Sequence, residues 1–145
     1  MNPVIVDIGE VLEDANVCDK EGTTGWYLFE SQMPDKPDSI VGVFDTGGSK
    51  PLICMDKTVK PTHVETFQVR VRGVSYVVAW DKVKEVMDCL GHTGRFDVAG
   101  DSSAELYTHY ADVQQTGEPL PLGRDARNRE TFSINFQVWR KEETV

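Results

Sequence analysis

Asp45 lies in the stretch Val43-Phe44-Asp45-Thr46-Gly47-Gly48-Ser49, an apolar lead-in followed by Asp-Thr-Gly and small residues. That pattern could present a carboxylate for acid–base hydrolysis of a peptide bond. The chemistry needs two carboxylates sharing one proton, so that one acts as base and the other as acid. A chain with a single Asp-Thr-Gly could reach that arrangement only as a symmetric dimer. The plainer reading is a strand that ends in a Gly-Gly turn. Asp45 or Thr46 would then bond the local backbone, and Gly47 or Gly48 would take a positive φ.

A dimeric aspartic protease of the retroviral type also braces its active-site loop with a later apolar-apolar-Gly segment. The nearest candidate here is Asp97-Val98-Ala99-Gly100. The region between argues against it, because an amphipathic helix from Ser75 to Leu90 occupies the place of the strands and flap. Other chemistries find less. His63, His92 and His109 share no ligand spacing, and Cys18, Cys54 and Cys89 form no Cys-x-x-Cys pair. Ser102 and Ser103 follow a Gly-Asp but sit in no nucleophile elbow, and Gly48-Ser49-Lys50 lacks the spacing of a phosphate loop. No catalytic, cofactor or metal site is predicted. Arg124, Arg127 and Arg129, beside Asp125 and Glu130, make a mixed charge cluster that is either solvated or a polar subunit contact.

The elements that must carry these residues can be read from periodicity. Asn2-Pro3 opens a first helix, with Val4, Ile5, Ile8, Val11, Leu12 and Ala15 at helical spacing. Trp26 to Phe29 is a short strand or an anchoring plug, and "SQMPDKPDS" (31–39) is a loop feeding a strand from Ile40 to Phe44. Residues 65–72 alternate: Phe67, Val69 and Val71 face one way, Gln68, Arg70 and Arg72 the other. A second helix follows, with Tyr76, Trp80, Val83, Met87 and Leu90 on one stripe and Gly91 as its stop. Residues 105–114 and 131–139 return to strand character, separated by the polar loop "TGEPLPLGRDARNRE". Helix, strands, helix, strands, without regular βαβ alternation, predicts a single α+β domain over 1–145, with a mostly antiparallel β-sheet and two α-helices packed on one face.

The chain has 145 residues, 39% hydrophobic and 27% charged, enough to bury a core unaided. Its 15 basic and 24 acidic residues leave a formal charge of −9, which repels a phosphate backbone. The apolar runs are too short to span a bilayer, and Asp7 and Glu10 interrupt any secretory block, so the expectation is a protein that stays in the cytoplasm where it is made.

With the elements placed, the chain resembles the tail terminator, or minor capsid protein, family of long-tailed bacteriophages. The matching parts are an N-terminal helix, "GTTGWYLFE", "MPDKPDSIVGVFDTGG", the "FQVRVRG" strand with its following helix, and "QQTGEPLPLGRDARNRETFSINFQVWR". The resemblance implies a non-enzymatic protein of the virion neck, needing no cofactor. It would close into a ring, commonly a hexamer, on the end of the tail tube, stop tube polymerisation and offer a docking face to the head. Its partners would be further copies of itself, the tail tube protein and a head-side neck or stopper protein, with DNA passing through the lumen without specific binding and no membrane involved. Candidate contacts are Asp35, Lys36 and Asp38 in the Pro-rich loop; Asp45, Thr46, Gly47 and Gly48; and Arg124, Asp125, Arg127 and Arg129. The alternatives are another neck component, such as a stopper or completion protein, the dimeric protease using Asp45, and a host binding module unrelated to phage.

Overall fold

In a computed structural model, which describes residues 1–53, 55–56, 58–99 and 106–144, the alternating strand forms the middle of a sheet. The elements are α1 (Val4–Asp14), β1 (Tyr27–Glu30), β2 (Ile40–Gly48), β3 (Thr62–Gly73), α2 (Tyr76–His92), β4 (Phe96–Ala99), β5 (Leu106–Gln115), β6 (Leu120–Arg124) and β7 (Glu130–Thr144). Strand order is β1-β2-β3-β7-β5-β4, with β6 also pairing β7. Every pair is antiparallel except β1 with β2.

Period-2 alternation on β3 and β7 explains their register. Phe67, Val69 and Val71 stand opposite Phe136, Ile134 and Phe132, so each apolar residue meets another across the ladder. The rings of Phe67 and Phe136 stack at 5.1 Å. A slip by one residue would send this whole row to the opposite face. Ile8 and Leu12 of α1 and Ala79, Val83, Val86 and Leu90 of α2 complete the same core cluster, so both helices cover one face of the sheet. The fold is α+β, as the residue pattern predicts.

Several expectations need correction. Pro3, not Asn2, occupies the cap of α1, without a side-chain cap bond; Asn2 instead donates to Asp7 Oδ1 at 3.2 Å. On α2 the buried stripe is rotated, leaving Tyr76 49% exposed and burying Ala79. The reason is a close crossing: a Cβ at Gly73 would come within 2.9 Å of the Ala79 amide nitrogen, so the helix meets the sheet at its small residue. Ser75 caps α2 by accepting from Val78 N, and the helix passes Gly91 to end at His92, with Gly94 at φ +63° after it. The 116–130 loop contains β6, whose Pro121 is tolerated because β6 pairs only with β7 and is an edge strand. The short β4 also escaped the periodicity, having only four residues. Cys54, Gly100, Ser102 and Ser103 lie outside the described residues.

Candidate interface at the ends of the sheet

The sheet presents two ends. At one, Ile40 pairs with Arg72 and Gly73 with Glu130, gathering the 31–39 and 124–129 loops; at the other, Gly48 pairs with Glu65 and Thr62 with Lys141.

Two arginines organise the first end. Arg72, on the face of β3 away from the helices, is nevertheless buried, because the Pro-rich loop folds over it. Its guanidinium donates to the carbonyls of Pro34 (2.6 Å), Pro37 (2.7 Å), Asp35 (3.3 Å) and Asp38 (3.3 Å). A planar fork of fixed donors suits this task, since a Pro-rich segment has carbonyls to satisfy and few amides of its own. Burial, then the neighbouring Arg129, pulls the Arg72 pKa down from its ordinary value.

Arg129 is also buried and closes the second layer. It donates to Asp125 Oδ2 at 2.7 Å, Asp35 Oδ1 at 3.0 Å, Asp38 Oδ1 at 3.1 Å and the Asp35 carbonyl. Burial opposes its charge, but the bonds to Asp125 and Asp35 outweigh this and raise its pKa. Asp125 also accepts from the amides of Arg127 and Arg129 at 2.9 and 3.0 Å. Desolvation pushes the Asp125 carboxyl up, but the amide and side chain of Arg129 and the amide of Arg127 together outweigh it and hold the carboxyl below its ordinary value. Arg127 reaches Asp35 Oδ2 at 2.8 Å, and Arg124 pairs with Glu130 at 2.7 Å. The structure therefore joins the two loops, separated by some ninety positions, into one internally bonded unit. Lys36 and the side chains of Arg124 and Arg127 are left exposed on it, beside the exposed Val74, Tyr76 and Val77.

The Asp45 segment is part of β2, not a turn after it. Pairing with β3 slips between Asp45 and Gly47, a bulge in which Asp45 Oδ1 accepts from the Gly47 amide at 3.0 Å. Gly47 takes φ +94°, and Gly48 lies so close to β3 that a Cβ would stand 2.4 Å from the Val64 carbonyl. Thr46 bonds Thr66 across the strands at 2.8 Å. The carboxylate thus serves the backbone of its own strand.

At the second end, the connection from Ser49 to Pro61 carries Leu52 (62% exposed), Ile53 (72%) and a fully exposed Met55. A bridge between Leu52 and Thr62 ties its base to β3. On the helix face, a cavity of about 610 Å³ opens between the second half of α1, the end of α2 and β4. Its apolar lining includes Val11, Ala15, Cys89, Phe96 and Val98, and the exposed carboxylates Glu10, Asp14, Asp88 and Asp97 also line it.

Sequence reasoning missed one further buried cluster. Asp7 of α1, fully buried, accepts from Tyr110 Oη at 2.6 Å, and Arg140 lies 3.9 Å away while also pairing with Glu65. Burial and the bond to Asp7 push the Tyr110 hydroxyl well above the usual phenol range. An Asp on the apolar stripe of a predicted helix was the available signal. Among the described residues no group of His, Cys, Asp and Glu could hold a metal, and no helix is long and apolar enough to cross a membrane.

A protein family described as bacteriophage tail terminator protein matches residues 11–140. The chain belongs to the bacteriophage tail terminator family. It is accordingly a structural protein of the virion, not an enzyme, and the protease reading of Asp45 falls away. The matched range spans both arginine-bound loops, the Asp45 bulge and the apolar connection. Among solved structures, a chain from "Virion of native gene transfer agent (GTA) particle" has the same fold, with a TM-score of 0.57 and 15% identity over 95% of this chain and 94% of that one. No curated protein matches the sequence.

Proposed function

We propose that this tail terminator closes into a ring, a hexamer by the habit of its family, on the end of the tail tube, where it stops tube polymerisation and docks the head. The observation that carries this reading is the family match along residues 11–140. A closed ring needs a head-to-tail contact between unlike surfaces, and the two ends of the sheet differ in chemistry. Exposed groups of the arginine-bound end, Asp35, Lys36, Asp38, Arg124 and Arg127, with Asp45 to Gly48, are the proposed ring and neck contacts. Arg129 and Asp125 support them from within. The partners are the tube protein on one face and a head-side neck or stopper protein on the other. A formal charge of −9 suits a lumen through which DNA slides without sticking.

The test is electron microscopy of the purified protein, alone and added to polymerising tube protein. Rings, and tubes capped and shortened in proportion to added protein, are the expected result. Unaltered tube growth with binding to head connectors alone would transfer the assignment to a stopper or completion protein.

A further inference from the structure

We propose that the apolar β2–β3 connection of one copy seats in the acid-rimmed groove between α1, α2 and β4 of the next, and that this is the apolar anchor of the ring, beside the polar contacts proposed above.

The inference rests on the ring reading above and names the surfaces that make it. The connection exposes Leu52, Ile53 and Met55 together, which is unusual for a segment with no partner. Its sequence from Ser49 to Pro61 carries three lysines and one aspartate, in a chain whose formal charge is −9. The aspartate, Asp56, is taken up locally, accepting from the Thr58 amide and hydroxyl at 2.9 and 2.7 Å, and Lys60 pairs with Glu142 at 3.2 Å, so the sequence of the connection stays net basic. The groove is the reverse in charge and alike in its floor. Glu10, Asp14, Asp88 and Asp97 lie around apolar Val11, Phe96 and Val98; Asp97 is bonded to His109 at 2.6 Å and His92 also lines the groove, but no lysine or arginine is among the described residues that do. A cavity of about 610 Å³ has room for a few apolar side chains.

One copy cannot satisfy both surfaces itself. The connection springs from β2 and β3, while the groove lies along β4 at the sheet's far edge, with β7 and β5 between. That is three strand spacings, about 14 Å. Two complementary surfaces at separate places on one molecule make a heterologous contact, which propagates from copy to copy until the rotation closes. Opposed charge across the rim steers and orients the approach, while the apolar anchors supply most of the affinity.

The test uses the full chain with two variants. One carries Ile53→Asp and Met55→Asp in the connection; the other carries Asp14→Lys and Val98→Arg in the groove. All four positions are exposed or half-buried, and thermal melts within a few degrees of wild type check that both variants fold. Assembly is read by analytical ultracentrifugation, alone and on tube ends. The expected result is rings for wild type and assembly weakened at least roughly tenfold for each variant alone, the effect of losing a central anchor. A one-to-one mixture should give a heterodimer that cannot close, because each partner keeps one sound surface. Rings from either variant at wild-type concentration, or no heterodimer in the mixture, would overturn the inference and leave the ring reading standing. Wild type that forms no ring in solution or on tubes would overturn that reading, and this contact with it.

Discussion

The two ends of the sheet are built on opposite plans. At the arginine-bound end, polar loops are consumed internally: Arg72 satisfies four carbonyls and Arg129 engages three carboxylates. At the β2–β3 end, apolar side chains are left in solvent with one backbone bridge at their base. Polarity in a loop does not by itself mark a contact surface, because charges that can find partners within the chain do so. Apolar groups left outside have no such outlet and are the surfaces that gain most from a partner.

The largest effect is expected at Arg72. Replacing Arg72 with Met should destabilise the fold by roughly 2–4 kcal/mol, since it leaves several carbonyls under a folded loop without donors. Urea unfolding measures this, and a loss below about 0.5 kcal/mol would mean that the Pro-rich loop holds itself. Gly48→Ala comes next: the added methyl must displace the β3 backbone near Val64, at a cost of roughly 1–3 kcal/mol. Asp45→Asn should be milder, because an amide oxygen can still accept from Gly47.

Acid provides a graded probe of the arginine-bound end. The Asp125 carboxyl is held below its ordinary 3.8 in the fold, so the unfolded chain takes up that proton first. Its stabilising effect is complete above about pH 4 and is lost as pH falls through the lower, folded value. Thermal melts from pH 6 downward should show stability declining below pH 4, and Asp125→Asn should flatten that decline. The smallest effect belongs to the other end. Met55→Ser should leave monomer stability within about 0.5 kcal/mol, as for an exposed position without partners.

The sequence made the framework legible where one physical signal dominated. Phe67, Val69 and Val71 alternate without interruption, and the second helix changes period cleanly, so the α+β class and both helices follow from residue order. Elements were lost where signals conflicted. Pro119 and Pro121 mask β6, which survives only because an edge strand spares one row of amides. On α2 Val83 and Leu90 are buried as the stripe predicts, but Ala79 and Val86 take the places of Trp80 and Met87, since the crossing at Gly73 and Ala79 is a tertiary constraint. The candidate contacts show the same limit. Arg72 and Arg129 have the composition of surface residues, and only the return of a distant loop buries them. The roles of Asp7 and Tyr110, 103 positions apart, depend on a pairing that no local pattern encodes.

β7 runs the length of the sheet between its two ends. Its 15 residues pair with β3 along most of one side, and with β6 and then β5 along the other, from the arginine-bound end to the β2–β3 end. Tension between those ends runs parallel to the strand and across its hydrogen bonds, which are perpendicular to it. Such a load must shear many bonds at once; it cannot peel them in sequence. The strand is therefore a tie rod, and a pull applied at one rim of the molecule reaches the other without first opening the sheet.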